Sequence, residues 1–187
     1  EFRQFGIEVS GTSAPGADVE VIVVGDRFLR ARGLRDLSLR LNSIGDEACR
    51  PAYRDELVSY FHPYRDQLDR DCQARLESNP LRVFDCKIDG EKDFVLAAPT
   101  IVDRLCEACA SHFAAVREGL ERAGVAYELD PRLVRGLDYY TRTAFEWISG
   151  VRSSSPSISA PPCAKMSTGA PAACGGAYTS STWRTCD

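Results

Sequence analysis

The sequence predicts an α+β fold in which strands stand at both ends of the folded body and a helical block lies between them. Three observations carry this expectation. Residues 2–9 (FRQFGIEV) and 37–42 alternate apolar and polar positions, as strands do. Residues 50–79 and 99–124 repeat their apolar residues at helical spacing. Residues 125–148 return to an extended pattern. The order strands, helices, strands describes a helical insertion into an α+β domain.

Each element follows from its local chemistry. In residues 2–9, Gln4, Gly6 and Glu8 share one face and Phe5, Ile7 and Val9 the other. The polar face is either a solvated surface or the floor of a binding site. Residues 11–16 form a loop rich in Gly, Ser and Pro. Residues 18–32 suit a strand by β-branched content, or a helix by the stripe Val19, Ile22, Val23 and Leu29. Their length favours the helix, with Asp18 as cap and Gly33 as stop. Leu37, Leu39 and Leu41 then alternate along a strand that ends at Gly45. His62-Pro63 divides residues 50–79 into two helices, because proline disfavours helix at the residue before it. Residues 81–87 (LRVFDCK) read as short and extended. Leu105, Cys109, Phe113, Val116 and Leu120 make one stripe, with Pro99 at the start of that helix and Gly124 at its end. The two stripes, this one and Leu68, Cys72 and Leu76, are expected to pack on one another as a small bundle. Residues 125–129 form a strand, and 133–148 a strand bent at Gly136. Residues 149–187 are rich in Ser, Pro, Ala, Thr and Cys, without apolar periodicity, and read as disordered. A shifted reading frame in GC-rich coding DNA also yields this composition.

Composition excludes several classes. The chain has 187 residues, 44% apolar and 27% charged, with a formal net charge of −4. That is ordinary for a globular protein and gives no global attraction to nucleic acid. No stretch approaches the roughly 20 apolar residues of a membrane span. The opening residues carry neither a signal-peptide pattern nor an initiator methionine, so the chain reads as an internal piece of a cytoplasmic protein. Of eight cysteines, only Cys106-x-x-Cys109 has metal or redox spacing. Without a second such pair, the cysteines read as buried or neutral thiols.

The run Leu133-Val134-Arg135-Gly136-Leu137-Asp138-Tyr139-Tyr140-Thr141-Arg142-Thr143-Ala144-Phe145-Glu146 is the most specific feature. It resembles the histidine-specific signature of the histidyl-tRNA synthetases, a class II aminoacyl-tRNA synthetase family. Residues 3–9 are similar to the end of class II motif 2. Residues 42–46 and 53–55 resemble the join to that family's helical insertion, and 79–87 (NPLRVFDCK) the insertion's own signature. The resemblance runs collinearly over residues 1–148.

The resemblance implies part of an antiparallel-sheet catalytic domain with a helical insertion. Residues 1–45 and 125–148 would belong to the catalytic core, 46–124 to the insertion, and 149–187 to the tail. It implies ligation of histidine to tRNA(His) through histidyl-adenylate, with ATP as substrate accompanied by Mg2+, in a cytoplasmic homodimer. Gln4 and Glu8 would line the histidine pocket, Arg135 would approach the α-phosphate and the amino-acid carboxylate, and Tyr139 and Tyr140 would wall the imidazole site. The physics agrees. Adenylation brings two anions together, and a planar guanidinium can neutralise both. Adjacent strand residues point oppositely, so one tyrosine in the pocket is the simpler arrangement, and Asp138 serves as a brace for Arg135. His62 and His112 fall in no matching motif and are read as helix residues. Arg50, Arg54, Arg65, Arg70, Arg75 and Arg82 either meet tRNA phosphates or are neutralised by the interleaved Asp66, Asp69 and Asp71.

The chain departs from the family pattern in lacking recognisable motif 1, the first half of motif 2, motif 3 and the anticodon-binding domain. It is therefore expected to be inactive alone, and Tyr178 inherits no role. The alternative is a histidine-sensing paralogue, the regulatory subunit of ATP phosphoribosyltransferase. The 79–87 run argues against it, since that subunit generally lacks the insertion.

Overall fold

The computed structural model describes residues 6–134 and 140–149, and the backbone of two further strands, 163–167 and 178–182. Chain order is β1 (Gly6–Ser10), α1 (Pro15–Ala31), β2 (Leu37–Ser43), α2 (Arg50–Phe61), α3 (Arg70–Ser78), α4 (Asp93–Leu96), α5 (Glu107–Arg122), β3 (Glu128–Leu129), β4 (Thr143–Ser149), β5 (Cys163–Ser167) and β6 (Tyr178–Thr182). The α+β class holds. One sheet has the order β3-β2-β4-β5, and a second pairs β1 with β6. The β2–β3 pair is parallel and the other pairs are antiparallel, so the larger sheet is mixed rather than purely antiparallel.

The main core lies between that sheet and the helices α1 and α5. Leu39 opposes Trp147 and Leu41 opposes Phe145 across β2 and β4. All four are buried, and the two aromatic rings meet edge-on at 5.4 Å. Alternation along each strand puts these pairs on one face. Helix α1 begins at Pro15, which needs no backbone N–H there, and its cap is Ala14, not Asp18. Asp18 instead lies buried in the first turn, 3.7 Å from the imidazole Nε2 of His112 on α5. Gly33 ends the helix at φ +93°, with Leu34 N–H reaching back to the Leu29 carbonyl at 3.2 Å.

The helical block has its own core. Tyr53, Leu57 and Phe61 on α2 pack with Cys72 and Leu76 on α3, and with Leu81, Val95 and Ile101. Helix α5 does not belong to it. Phe113, Val116 and Leu120 pack against Val21, Ile22 and Leu29 of α1 and the sheet residues Leu39 and Trp147. The expected bundle of the two stripes is thus corrected: an apolar stripe states that a helix packs, not against which neighbour. Leu105 touches both cores and marks the seam.

Other expectations also shift. The helix expected from Pro99 starts only at Glu107, after a 3₁₀ turn at Ile101–Arg104 and an extended Leu105 at ψ 137°. Residues expected to be extended after Asn79 instead form a 3₁₀ turn, Pro80–Val83, with Leu81 and Val83 buried. The run closes its own backbone bonds, and Phe84 N–H reaches the Leu81 carbonyl at 3.2 Å. Cys72 and Cys86, read as thiols, are joined by a disulfide. Within the segment read as disordered, residues 163–167 pair with β4 and 178–182 with β1, where open strand edges offer unpaired backbone groups. The rest of that segment lies outside the described residues.

Two predictions follow from this packing. A Cβ on Gly25 would stand 2.6 Å from Trp147 Cη2, whereas nothing lies within 4 Å of one on Gly16 in the same helix. Gly25→Ala is therefore expected to destabilise by about 1–3 kcal/mol through overpacking, and Gly16→Ala to be neutral or stabilising. Thermal melts of the two variants compare them directly. Residues 46–104, cut out alone, are expected to melt cooperatively as a helical unit by circular dichroism. The 46–124 piece, which bares the stripe of α5, is expected to self-associate by light scattering. The reverse ranking would return α5 to the block.

Candidate functional site

The candidate site residues reach the structure unequally. Gln4, Arg135 and Tyr139, like the brace Asp138, lie outside the described residues. Glu8 is on the exposed face of β1, with Ile7 and Val9 turned toward the core, so the facing read from alternation holds. Tyr140 is 7% exposed and packs with Ile44 and Ala144 at the head of β4. Glu8 lies on the two-stranded sheet, and Tyr140 lies just before β4 of the larger one.

The chain on either side of residues 135–139 is held by specific bonds. On one side, the buried Asn42 amide donates to the carbonyls of Leu133 at 2.8 Å and Pro131 at 3.2 Å. Asp130 N–H donates to the Leu41 carbonyl at 3.0 Å, and its carboxylate pairs with Arg40 at 3.0 Å. The Arg132 guanidinium donates to the Leu96 carbonyl, and Val134 is buried among the helical-block residues. So this side is tied to β2 and to the block at once.

On the other side, Arg50 at the start of α2 donates to the carbonyls of Ile44 at 3.3 Å, Gly45 at 3.1 Å and Tyr140 at 2.5 Å. Ile44 N–H reaches the Arg142 carbonyl, and Arg142 N–H the Gly45 carbonyl, each at 2.7 Å. Arg142 takes φ +61°, a left-handed conformation that costs a non-glycine residue about 1–3 kcal/mol. The strain is sustained because both backbone bonds of that residue are fixed by the Ile44–Gly45 turn. Gly45 itself has φ +64°.

These contacts were not legible as a site in the sequence. In the sequence Asn42 stands within an alternating strand and a resembling segment, and Arg50 is one of several arginines either facing phosphates or neutralised by neighbouring aspartates. The structure corrects Arg50 directly: its guanidinium serves internal carbonyls. Other arginines of the block also have local partners. Arg54 donates to the Ser78 carbonyl at 2.5 Å, Arg65 pairs with Glu77 at 2.6 Å, and Arg75 donates to the Arg82 carbonyl at 3.2 Å. Among the described residues, no helix is long and apolar enough to cross a membrane.

No family model matches the chain. A histidine–tRNA ligase of Solidesulfovibrio magneticus is 49% identical over 159 residues, covering 84% of this chain and 38% of that protein. One of Moorella thermoacetica is 49% identical over 146 residues, covering 78% of this chain and 34% of that protein. The chain belongs to the histidine–tRNA ligase family. It spans well under half the length of the curated relatives it matches. Among solved structures, apo histidyl-tRNA synthetase of S. aureus superposes at a TM-score of 0.69 and 31% identity, covering 96% of this chain and 44% of that one. An ATP phosphoribosyltransferase regulatory subunit/histidyl-tRNA synthetase from Bacillus halodurans gives 0.53 at 19% identity, which shows a shared fold only.

In this member of the histidine–tRNA ligase family the Arg50 fork is expected to be structural. A lysine keeps the charge but cannot span several carbonyls. Arg50→Lys should cost about 1–3 kcal/mol, read as a lowered thermal midpoint. An unchanged midpoint would show that charge alone holds the turn.

Proposed function

We propose that this chain is a segment of the catalytic and insertion regions of a histidine–tRNA ligase. The parent enzyme activates histidine with ATP to histidyl-adenylate, releasing pyrophosphate, and transfers histidine to tRNA(His). The observation that carries the reading is the 49% identity to a histidine–tRNA ligase across 84% of the chain. Its match to S. aureus histidyl-tRNA synthetase over 96% of its length supports the same reading. A histidine-sensing regulatory role has weaker support, because the likeness in that direction is one of fold at 19% identity.

In this reading the histidine carboxylate attacks the α-phosphorus of ATP, and pyrophosphate leaves. Arg135 stabilises the charge that gathers on the phosphoryl oxygens, as a preorganised cation does. Gln4 and Glu8 line the histidine pocket, and the open polar face of β1 leaves the Glu8 carboxylate available to an ammonium or imidazole donor. Tyr139 and Tyr140 wall the imidazole site. Mg2+ enters with the ATP phosphates as part of the substrate. The parent works as a homodimer in the cytoplasm. The bonds from Asn42 and Arg50 act here as positioning contacts, holding the chain on both sides of Arg135.

The test is histidine-dependent pyrophosphate exchange. The 187-residue chain alone is expected to show none above a blank, since it spans 38% of its relative's length. In a parent enzyme carrying this segment, Arg135→Ala is expected to slow adenylation by about a hundred- to a thousandfold, equivalent to about 3–4 kcal/mol. Histidine binding should change far less, and Arg135→Lys should recover little. Turnover close to wild type in the alanine variant would make Arg135 structural.

A further inference from the structure

Three cysteines and an aspartate converge where the helical block meets the sheet. Asp46 and Cys49 lie in the turn between β2 and α2, Cys106 caps α5, and Cys109 lies in its first turn. One ligand atom from each stands within 4.8 Å of all the others. Cys49 Sγ is 3.6 Å and Cys106 Sγ 3.9 Å from the same Asp46 oxygen, Oδ1. A tetrahedral ion with metal–sulfur bonds of about 2.3 Å holds its sulfurs about 3.8 Å apart, which is the scale of this cluster.

In the sequence, Cys106-x-x-Cys109 has no second pair of the same spacing. The fold supplies it as Asp46-x-x-Cys49, in which one thiolate is exchanged for a carboxylate. Each pair has ligands three residues apart at a turn that opens a helix, the spacing common to structural zinc sites. The surroundings are built for the sulfurs. Cys49 and Cys109 are buried, while Asp46 and Cys106 are part-exposed and leave a route for an ion. Asp46 N–H points to Cys49 Sγ at 3.4 Å, a bond that favours a thiolate. A Cβ on Gly45 would fall 2.6 Å from Cys49 Sγ and 3.1 Å from Ile101 Cδ1, so the backbone there passes directly against the sulfur. All three cysteines are free thiols, apart from the Cys72–Cys86 disulfide.

We propose that Asp46, Cys49, Cys106 and Cys109 bind one divalent zinc-type ion in a tetrahedral structural site. Thiolate ligands select a soft or borderline ion, and four protein ligands leave no open position for catalysis. Each cysteine gives up its proton to solvent on binding. The ion clips the start of α5 to the turn between β2 and α2. It thereby ties the main core to the helical block beside the Gly45 carbonyl that Arg50 holds.

The test uses the full chain, stripped by chelator under reducing conditions that leave the three thiols free, and Co2+ alone as probe. One equivalent is expected to give thiolate-to-cobalt charge-transfer absorption with tetrahedral d–d bands, displaced by one equivalent of Zn2+. Cys106→Ser and Asp46→Ala change part-exposed side chains, and each is expected to weaken binding about tenfold or more, whereas Asp46→Cys is expected to tighten it. Replacing Cys163, Cys174 and Cys186 together with serine should leave the spectrum unchanged. Zn2+ should raise the thermal midpoint of the wild type but not of Cys106→Ser. The proposal is overturned if Co2+ gives no sulfur charge transfer, if the signal survives both Cys106→Ser and Asp46→Ala, or if it disappears with the three tail cysteines.

Discussion

The pairing of β2 with β4 is the constraint on which the rest of the structure depends. Seven register pairs join Leu37–Ser43 to Thr143–Ser149. The innermost pair, Ser43 with Thr143, closes a loop of 100 positions (143 minus 43). The entropy of closing a loop grows only with the logarithm of its length, so a large insertion is tolerated. What the insertion needs is a core of its own, and the cluster around Tyr53, Leu57 and Phe61 provides it. The paired strands in turn need a cover on their apolar face, and α1 and α5 provide that over Leu39 and Trp147.

The neck of this loop concentrates the unusual chemistry. Gly45 and Arg142 both adopt left-handed backbone conformations, bound to each other by an N–H to carbonyl bond of 2.7 Å. Arg50 draws carbonyls from both sides of the neck, Gly45 and Tyr140, onto one planar cation, and the thiol cluster lies on the adjoining turn. A guanidinium suits this position because its fork presents several donors in a fixed plane. The consequence is mechanical. The chain at Leu133 and at Tyr140, on either side of residues 135–139, cannot shift without disturbing either Asn42 on β2 or Arg50 on α2. The helical block is thus coupled to the sheet through backbone carbonyls as well as through Leu105, which packs on both cores.

That arrangement also changes how the charged residues of the block read. A cluster of arginines in a helical insertion invites an electrostatic interpretation. Here Arg50, Arg54 and Arg75 donate to main-chain carbonyls, and Arg65 meets Glu77. Carbonyls at helix ends and in turns lack intrahelical donors, so a long cationic side chain nearby satisfies them. An arginine count in such a region therefore does not tell how many guanidinium donors are already engaged within the fold.

The sequence by itself determined the element types where the pattern was unambiguous, as in β2, α5 and the split between α2 and α3, whereas α1 followed from length and not from periodicity. It also determined the family, because a fourteen-residue run of specific residues needs no contact information to be matched, and it set the facing of Glu8 through simple alternation. Tertiary structure decided what periodicity cannot encode. It assigned α5 to the sheet core rather than to the helical block, since an apolar stripe carries no address. It turned Pro80–Val83 into a 3₁₀ turn that none of the described strands pairs with. It gave Arg50 an internal role by bringing Tyr140, 90 positions away, within hydrogen-bond reach. It also joined Asp46 and Cys49 to a cysteine pair some 60 positions distant. Local residue preferences are written along the chain, whereas contacts across a closed loop exist only once the strands at its base have paired.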